Sequence, residues 1–296
     1  LFLDSGAFSA YTQGVQVSID DYIEFIKEHE GLIAAYANLD VINDPQATLR
    51  NQKRMEKAGL HPIPCYHLGE PVKFLKEYVS KYDYIAMGGM VRKATSDGLK
   101  VSDSSRPLDR LFTKYICDKD GMPKVKVHGF GLTTLKLMLR YPWYSVDSTS
   151  WVVASRMGQI YVPRFRKGNW VYNETAWVIT ISSSAGRKRK GSSRQHFVYM
   201  TEHEQEQLLA YLKSKGMMMG KSEFHKEGKG YKLKADEQWV GKAVDGKRVV
   251  ERRLVDGVSN CYWLRDEINI LFFKDLENQM PAWPWPFKAS TTGFKL

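Results

Sequence analysis

Phe2-Leu3-Asp4-Ser5-Gly6 and Tyr144-Ser145-Val146-Asp147-Ser148-Thr149 are short runs that each deliver an aspartate at the end of an apolar stretch. Similar runs lie between them: Ala35-Tyr36-Ala37-Asn38-Leu39, Ile63-Pro64-Cys65-Tyr66, Tyr84-Ile85-Ala86-Met87 and Val125-Lys126-Val127-His128. Stretches of helical period separate them. Ser18 to Glu30 carries Tyr22, Ile23, Phe25 and Ile26 on one side, with Asp20 and Asp21 in its first turn. Asp44-Pro45 reads as an N-cap followed by proline at the first helical position, and Gly59 as the stop. Glu70 to Tyr82 and Pro107 to Asp118 read the same way. Strand then helix, repeated, predicts parallel strands with right-handed crossovers. Six such units precede Trp151. A (β/α)8 TIM-type barrel needs eight strands. One is expected from Gln159-Ile160-Tyr161-Val162 or a later segment, and one from a piece preceding Leu1. An open doubly wound α/β sheet is the rival, but its usual Gly-rich phosphate loop does not follow the first strand.

The texture changes after Trp151. Gly168 to Tyr172 and Thr175 to Ile181 read as a strand pair. Arg187, Lys188, Arg189, Lys190 and Arg194 then crowd a Ser/Gly-rich stretch, and further lysines follow through Lys234. Thr201-Glu202-His203-Glu204 is a capping box that opens a helix ended by Gly216. Residues 221–253 read as β-rich, and 260–278 as a second strong helix with Leu264, Ile268, Leu271, Phe272 and Leu276 on its apolar side. The expected organisation is a catalytic barrel over 1–165, a basic β-rich nucleic-acid-binding insertion over 166–256, and a C-terminal helix with an aromatic tail packing on the barrel over 257–296.

Composition narrows the class. The chain has 296 residues, 43% hydrophobic, which supports a packed core and argues against disorder. No apolar stretch approaches the ~18 residues that cross a bilayer, so no membrane partner is expected. The three cysteines, Cys65, Cys117 and Cys261, are widely spaced and form no CxxC pair. Neither a disulfide framework nor a cysteine-rich zinc site follows, and a reducing, cytoplasmic setting is the simplest account. The formal net charge of +11 gathers in the 187–234 region, which points to a polyanionic partner.

The polar residues at the predicted strand ends form one constellation: Asp4, Asp40, His67, Gly88, Gly89, His128 and Asp147. In a parallel barrel the chemistry gathers at that end. Two carboxylates from different strands can divide the work of glycosyl transfer, one attacking the anomeric carbon and one moving a proton. Glycines there let a flat ligand approach the backbone.

In this order the motifs resemble a known family. Asp4-Ser5-Gly6-Ala7-Phe8 is similar to the Asp-Ser-Gly-Gly-Phe signature of the tRNA-guanine transglycosylase superfamily. Gly88-Gly89-Met90 resembles its Gly-Gly-Leu loop, His128-Gly129-Phe130-Gly131 its Met-Gly-Val-Gly segment, and Val146-Asp147 the site of its nucleophilic aspartate. The resemblance covers about residues 1–170. Gly257-Val258-Ser259-Asn260, Leu264-Arg265-Asp266-Glu267 and Trp283-Pro284-Trp285-Pro286 look like the phage branch, which inserts 7-deazaguanines such as preQ0 into DNA.

The resemblance implies a pentosyltransferase that exchanges guanine in DNA for a 7-deazaguanine, acting on a base flipped out of the duplex. Asp147 would be the nucleophile and Asp4 the general acid/base. Asp40 would read the guanine edge, His67 would contact the six-carbonyl, and Gly88, Gly89 and Met90 would line the base. Phe8 and His128 would stack on its two faces. Arg187, Lys188, Arg189, Lys190 and Arg194 would track the phosphate backbone. The free base is a substrate, so no cofactor is expected. The family's CxCxxC…His zinc cluster is absent, and zinc is not predicted. A noncanonical site joining Cys261 to His196, His203 or His225 is the alternative. Exchange on tRNA, and a non-catalytic nucleic-acid-binding accessory protein, are the rival functions.

Overall fold

The computed structural model describes residues 1–90, 105–132, 134–185 and 195–288. Arg187, Lys188, Arg189, Lys190 and Arg194 lie outside the described residues. The chain forms two compact units, Leu1–Ser148 with Pro281–Leu296, and Thr149–Met280.

In the first unit, strands and helices alternate. They run β1 (Phe2–Leu3), α1 (Ala7–Gln13), α2 (Ile19–Glu28), β2 (Ala35–Tyr36), α3 (Pro45–Lys57), β3 (Cys65–His67) and α4 (Val72–Lys81). Then come β4 (Tyr84–Gly88), α5 (Ser105–Leu111) with a π-helical turn over Phe112–Ile116, β5 (Lys126–Gly129), α6 (Leu135–Arg140) and β6 (Ser145–Val146). Local signals set the helix starts. Ser18 caps α2 through the Asp21 N–H, and Asp44 caps α3 through the Ala47 N–H at 2.9 Å, with Pro45 in the first turn.

The pairings between named strands described in this unit are all parallel. β1 pairs with β2, a bridge between Ala37 and Ile63 leads to β3, and β3, β4, β5 and β6 pair in that order. Laid flat, β1 and β5 would sit about 19 Å apart at the usual strand spacing. Yet the rings of Phe2 and His128 stack with centroids 4.4 Å apart, so the strands curl sharply toward one face. Ile63, Cys65 and Ala86 pack on that face with Phe2, Ala35, Tyr84 and Phe130. A larger core lies between strands and helices, with Tyr66, Leu75, Tyr78, Met87, Leu108, Phe112 and Tyr141 among its buried members. Residues 281–288 belong here too. Phe287 joins that core and donates its N–H to the Gly121 carbonyl at 2.8 Å, while the Trp283 indole donates to Pro142 O at 3.1 Å. A side chain at Gly121 would collide with Phe287 O at 2.3 Å, and its φ of +83° suits glycine alone.

The second unit holds α7 (Ser150–Arg156), β7 (Gln159–Val162), β8 (Arg164–Arg166), β9 (Asn169–Val171), β10 (Trp177–Thr180) and α8 (Glu202–Ser214). A sheet of β11 (Lys221–Gly228), β12 (Glu237–Val244) and β13 (Lys247–Val255) and the long helix α9 (Tyr262–Gln279) complete it. The capping box at Thr201 forms in full, with Glu204 returning a side-chain oxygen to the Thr201 N–H at 2.8 Å. The three-stranded sheet is antiparallel in the order β11-β13-β12. No helix among the described residues is long and apolar enough to cross a membrane.

Three expectations change. Gln159 to Val162 does not extend the parallel sheet; β7 pairs antiparallel with β10. The strands read over 168–172 and 175–181 do not pair with each other. Lys167 and Gly168, both at positive φ, form a tight turn that folds β9 back on β8, which leaves β10 to pair with β7. The division falls after Ser148 rather than at 165, because residues 149–162 are tied to α9. Asn269 in α9 bonds the backbone of Trp151, Gln159 and Tyr161, and Arg265 bonds Ser155 O at 2.9 Å. The C-terminal helix therefore belongs with the second unit, and only the tail with the first. The described fold is mixed α/β, and six strands of the first unit pair in parallel, as β1-β2 and as β3-β4-β5-β6.

Candidate active site

Parallel strands place their C-terminal ends together, and the predicted residues meet there. Asp4 follows β1, and Asp40 follows the Ala37 bridge. His67 closes β3, Gly88 closes β4, His128 lies in β5, and Asp147 follows β6. Asp4 retains solvent contact, yet its carboxyl sits above the ordinary aspartate range. Burial is the main cause, reinforced by the charges of Asp40 and Asp147; the Gly6 and Ser5 N–H groups pull the other way and lose.

Asp147 goes in the opposite direction. Burial alone would raise it, but His128 and the backbone N–H of Gly131 hold it below the ordinary range. The Gly131 N–H donates to Oδ1 at 2.6 Å, and His128 Nε2 lies 3.6 Å from the same oxygen. About half of the Asp147 side chain remains exposed, at 49%. Gly131 occupies the left-handed region at φ +59°, which turns its N–H onto the carboxylate.

Asp40 and His67 form a locked set. His67 Nε2 lies 2.9 Å from Asp40 Oδ2, and Nδ1 lies 3.0 Å from Glu70 Oε1. Glu70 Oε2 also accepts the His67 backbone N–H at 3.1 Å. Burial opposes charge on the ring, but the hydrogen bonds to Asp40 and Glu70 overrule it and hold an imidazolium far above the usual histidine range. Ser5 Oγ donates to the other Asp40 oxygen at 2.9 Å. Gly88 is glycine because this ring lies against it: a Cβ would stand 2.7 Å from His67 Cδ2. Gly89, at φ +75°, is exposed, and Met90 packs on the larger core.

Two assigned roles change. His67 has no nitrogen to spare for a base carbonyl, since each faces a carboxylate. Asp40 keeps acceptor capacity, because a carboxylate offers about four lone-pair sites and Ser5 and His67 use two. His128 cannot be a stacking platform. It is 3% exposed, with Phe2 stacked on its face and Phe130 against its edge at 4.6 Å. Phe8, 54% exposed in α1, is free to take a base face.

The sequence reading missed Ser5, Glu70, Ser145 and Tyr84 as partners. Glu70 alone carries a signal, three residues after His67 at the spacing of a turn. His196, the candidate ligand for Cys261, is buried, with Nε2 3.2 Å from Ser182 O.

For a metal, the close donor group among the described residues is Asp40, Cys65 and His67, whose ligand atoms lie within 4.8 Å of one another. It does not include Cys261, His196, His203 or His225. The three donors already face one another, and burial pushes the Cys65 thiol up to about 11. A cation would have to displace both the Asp40–His67 bond and that thiol proton. A cleft of about 460 Å³, lined by Tyr66, Leu68, Glu70 and Arg110 among others, borders Glu70, and none of the three aspartates lines it.

The arrangement offers an ionised carboxylate with one oxygen anchored, a second carboxyl with raised proton affinity, a backbone ledge at Gly89 and an exposed aromatic ring. No family model, curated protein or solved structure matches this chain.

Proposed function

We propose that this chain is a base-exchange enzyme that replaces guanine in DNA with a 7-deazaguanine through a covalent aspartyl-glycosyl intermediate. The observation that carries the proposal is the split between Asp147, held ionised, and Asp4, with raised proton affinity, at one end of a parallel sheet. Such a split is how one site supplies a nucleophile and a proton carrier together. The same reading takes the curled first unit as the greater part of a (β/α)8 barrel.

In this mechanism an Asp147 oxygen attacks C1′ as the C1′–N9 bond breaks. The departing guanine takes the bond's electron pair at N9, and Asp4 delivers a proton to it. The incoming 7-deazaguanine gives its N9 proton back to Asp4, and N9 displaces the aspartate from C1′. Asp40 accepts from the base edge, the Gly89 backbone flanks it and Phe8 covers one face. The basic residues of the second unit, with Lys221, Lys226 and Lys229 exposed along and beside β11, supply the attraction for a phosphate backbone.

The test is an exchange assay with purified chain, guanine-containing duplex DNA or bulk tRNA, and candidate 7-deazaguanines, read by nucleoside mass spectrometry. Modified deoxynucleoside supports the proposal. Modified tRNA alone refutes the choice of DNA. Binding of DNA with no exchange under any base refutes catalysis in favour of an accessory protein.

A further inference from the structure

His128 is buried, yet one ring nitrogen faces the nucleophile and the other belongs to a hydrogen-bonded chain. Nδ1 lies 2.7 Å from Ser145 Oγ, and that oxygen lies 2.6 Å from the Tyr84 hydroxyl. The three residues sit on neighbouring strands, with His128 in register with Ser145 across β5 and β6. Among the described residues Nε2 has no partner within hydrogen-bond range, and Asp147 Oδ1 lies 3.6 Å away. Phe2 and Phe130 hold the ring on its face and edge, so it cannot turn away without repacking the concave face.

A carboxylate only accepts, so the nitrogen facing it carries the proton. In the neutral ring Nδ1 then accepts the Ser145 hydroxyl, and Ser145 accepts from Tyr84. Burial raises the Tyr84 phenol above its ordinary range, which keeps it an O–H donor at the head of the chain.

We infer that His128 is a positioning residue for Asp147: the Tyr84–Ser145–His128 chain fixes the tautomer whose Nε2–H faces Oδ1. The inference takes the reaction from the proposed function; the geometry stands apart from it. With the Gly131 N–H and the imidazole N–H both directed at Oδ1, the other oxygen is presented for bonding to carbon. The 3.6 Å separation is longer than a hydrogen bond, and the positioning role requires it to shorten in the substrate complex. In the second half-reaction the N9–C1′ bond forms, the C1′–O bond breaks, and its electron pair returns to Asp147. Donors on Oδ1 favour the charged leaving carboxylate over the neutral ester, so they lower that barrier.

The experiment uses the full chain with 15N-labelled histidine and 13C-carboxyl-labelled aspartate, the signals assigned by difference with His128→Asn and Asp147→Asn. The wild type is expected to show a protonated Nε2 and an unprotonated Nδ1, and Ser145→Ala to weaken that preference. His128→Asn can reach Ser145 but offers no N–H near Asp147, and it is expected to raise the Asp147 midpoint by about one pH unit. His128→Gln restores an N–H near the Nε2 position and is expected to recover most of that shift. Exchange by His128→Asn should fall about tenfold in kcat with KM little changed, the rate equivalent of one pH unit. Tyr84→Phe is a milder variant that perturbs the chain without opening the core around His128.

An Nδ1–H tautomer in the wild type, or an Asp147 midpoint unmoved in His128→Asn, overturns the inference. If the spectra behave as expected while the wild type exchanges no base, the transglycosylase reading fails and the positioning role stands.

Discussion

Gly88→Ala tests how tightly the imidazolium of His67 is held. The backbone at Gly88 lies outside the left-handed region, so alanine meets no dihedral penalty and only the contact matters. The new Cβ would stand 2.7 Å from His67 Cδ2 and 3.1 Å from Nε2, the nearer about 0.7 Å inside the 3.4 Å of ordinary contact. A free side-chain end would swing aside, but this ring is fixed at 2.9 Å to Asp40 and 3.0 Å to Glu70. Retreat by that distance would stretch a charged hydrogen bond beyond its useful range. Overpacking costs about 1–3 kcal/mol, and a hydrogen bond to a charged group is worth about 1.5–3 kcal/mol. The two do not add, since ring movement exchanges one for the other, and we expect a loss of about 2–3 kcal/mol. Two units make a single unfolding midpoint ambiguous, so a local probe is needed. Cys65, 1% exposed beside the ring, serves: its alkylation under increasing urea, read by peptide mass spectrometry, reports opening at this site. A change below about 0.5 kcal/mol would refute the pinned ring and the explanation of Gly88 with it.

Asp147→Asn is expected to abolish exchange, and Asp4→Asn to reduce it severely while DNA binding persists, measured by nucleoside mass spectrometry and gel shift. The same substitutions should separate in stability. The depressed Asp147 pKa contributes stability above the ordinary range near 3.8 that is lost as pH falls through the folded value, so Asp147→Asn destabilises at neutral pH. The raised Asp4 pKa works against folding once pH exceeds the ordinary range, so Asp4→Asn raises the neutral-pH melting temperature. For His67, whose folded pKa is raised, the stabilisation is full below about 6.5 and falls as pH climbs toward the folded value; His67→Gln should flatten that dependence in urea titrations. Phe8→Ala is expected to raise the KM for base or nucleic acid and shift stability by less than about 0.5 kcal/mol, because the ring is exposed.

The strand-helix rhythm of the first unit was legible because its signals are local. Asp44 in the first unit and Thr201 in the second each read as a cap, and each cap forms. Polar residues at strand ends were legible for the same reason, since parallel pairing alone gathers Asp4, Asp40, His67 and Asp147. Pairing partners after Ser148 were not. Lys167 at positive φ carries no compositional warning, and that turn decides that β9 folds on β8. The boundary was hidden in Asn269 and Arg265, polar residues on a helix whose backbone partners lie more than 100 residues earlier. The two histidines were misassigned because a residue at a strand end can face the ligand or the layer beneath it. Only packing shows that Phe2 covers His128 and that Glu70 reaches back to His67.

In the proposed mechanism those histidines also bear on which aspartate carries the proton. Like charges gathered at one strand end raise one another's proton affinity. His67 lies against Asp40 at 2.9 Å, and His128 faces Asp147 at 3.6 Å. Asp4 has no ring nitrogen beside it among the described residues, and its neighbours' charges add to its burial. In the proposed exchange the asymmetry comes from both sides: burial and the charges of Asp40 and Asp147 raise Asp4, while His128 and the Gly131 N–H lower Asp147. Removing His128 should therefore do more than weaken the nucleophile. With Asp147 less firmly ionised, its charge presses less on Asp4, and the two proton affinities converge. A His128→Asn protein in which the Asp147 midpoint rises and the Asp4 midpoint falls would show that coupling directly. Movement of Asp147 with Asp4 fixed would mean that burial and the Asp40 charge set Asp4 without Asp147, and that His128 acts on Asp147 alone.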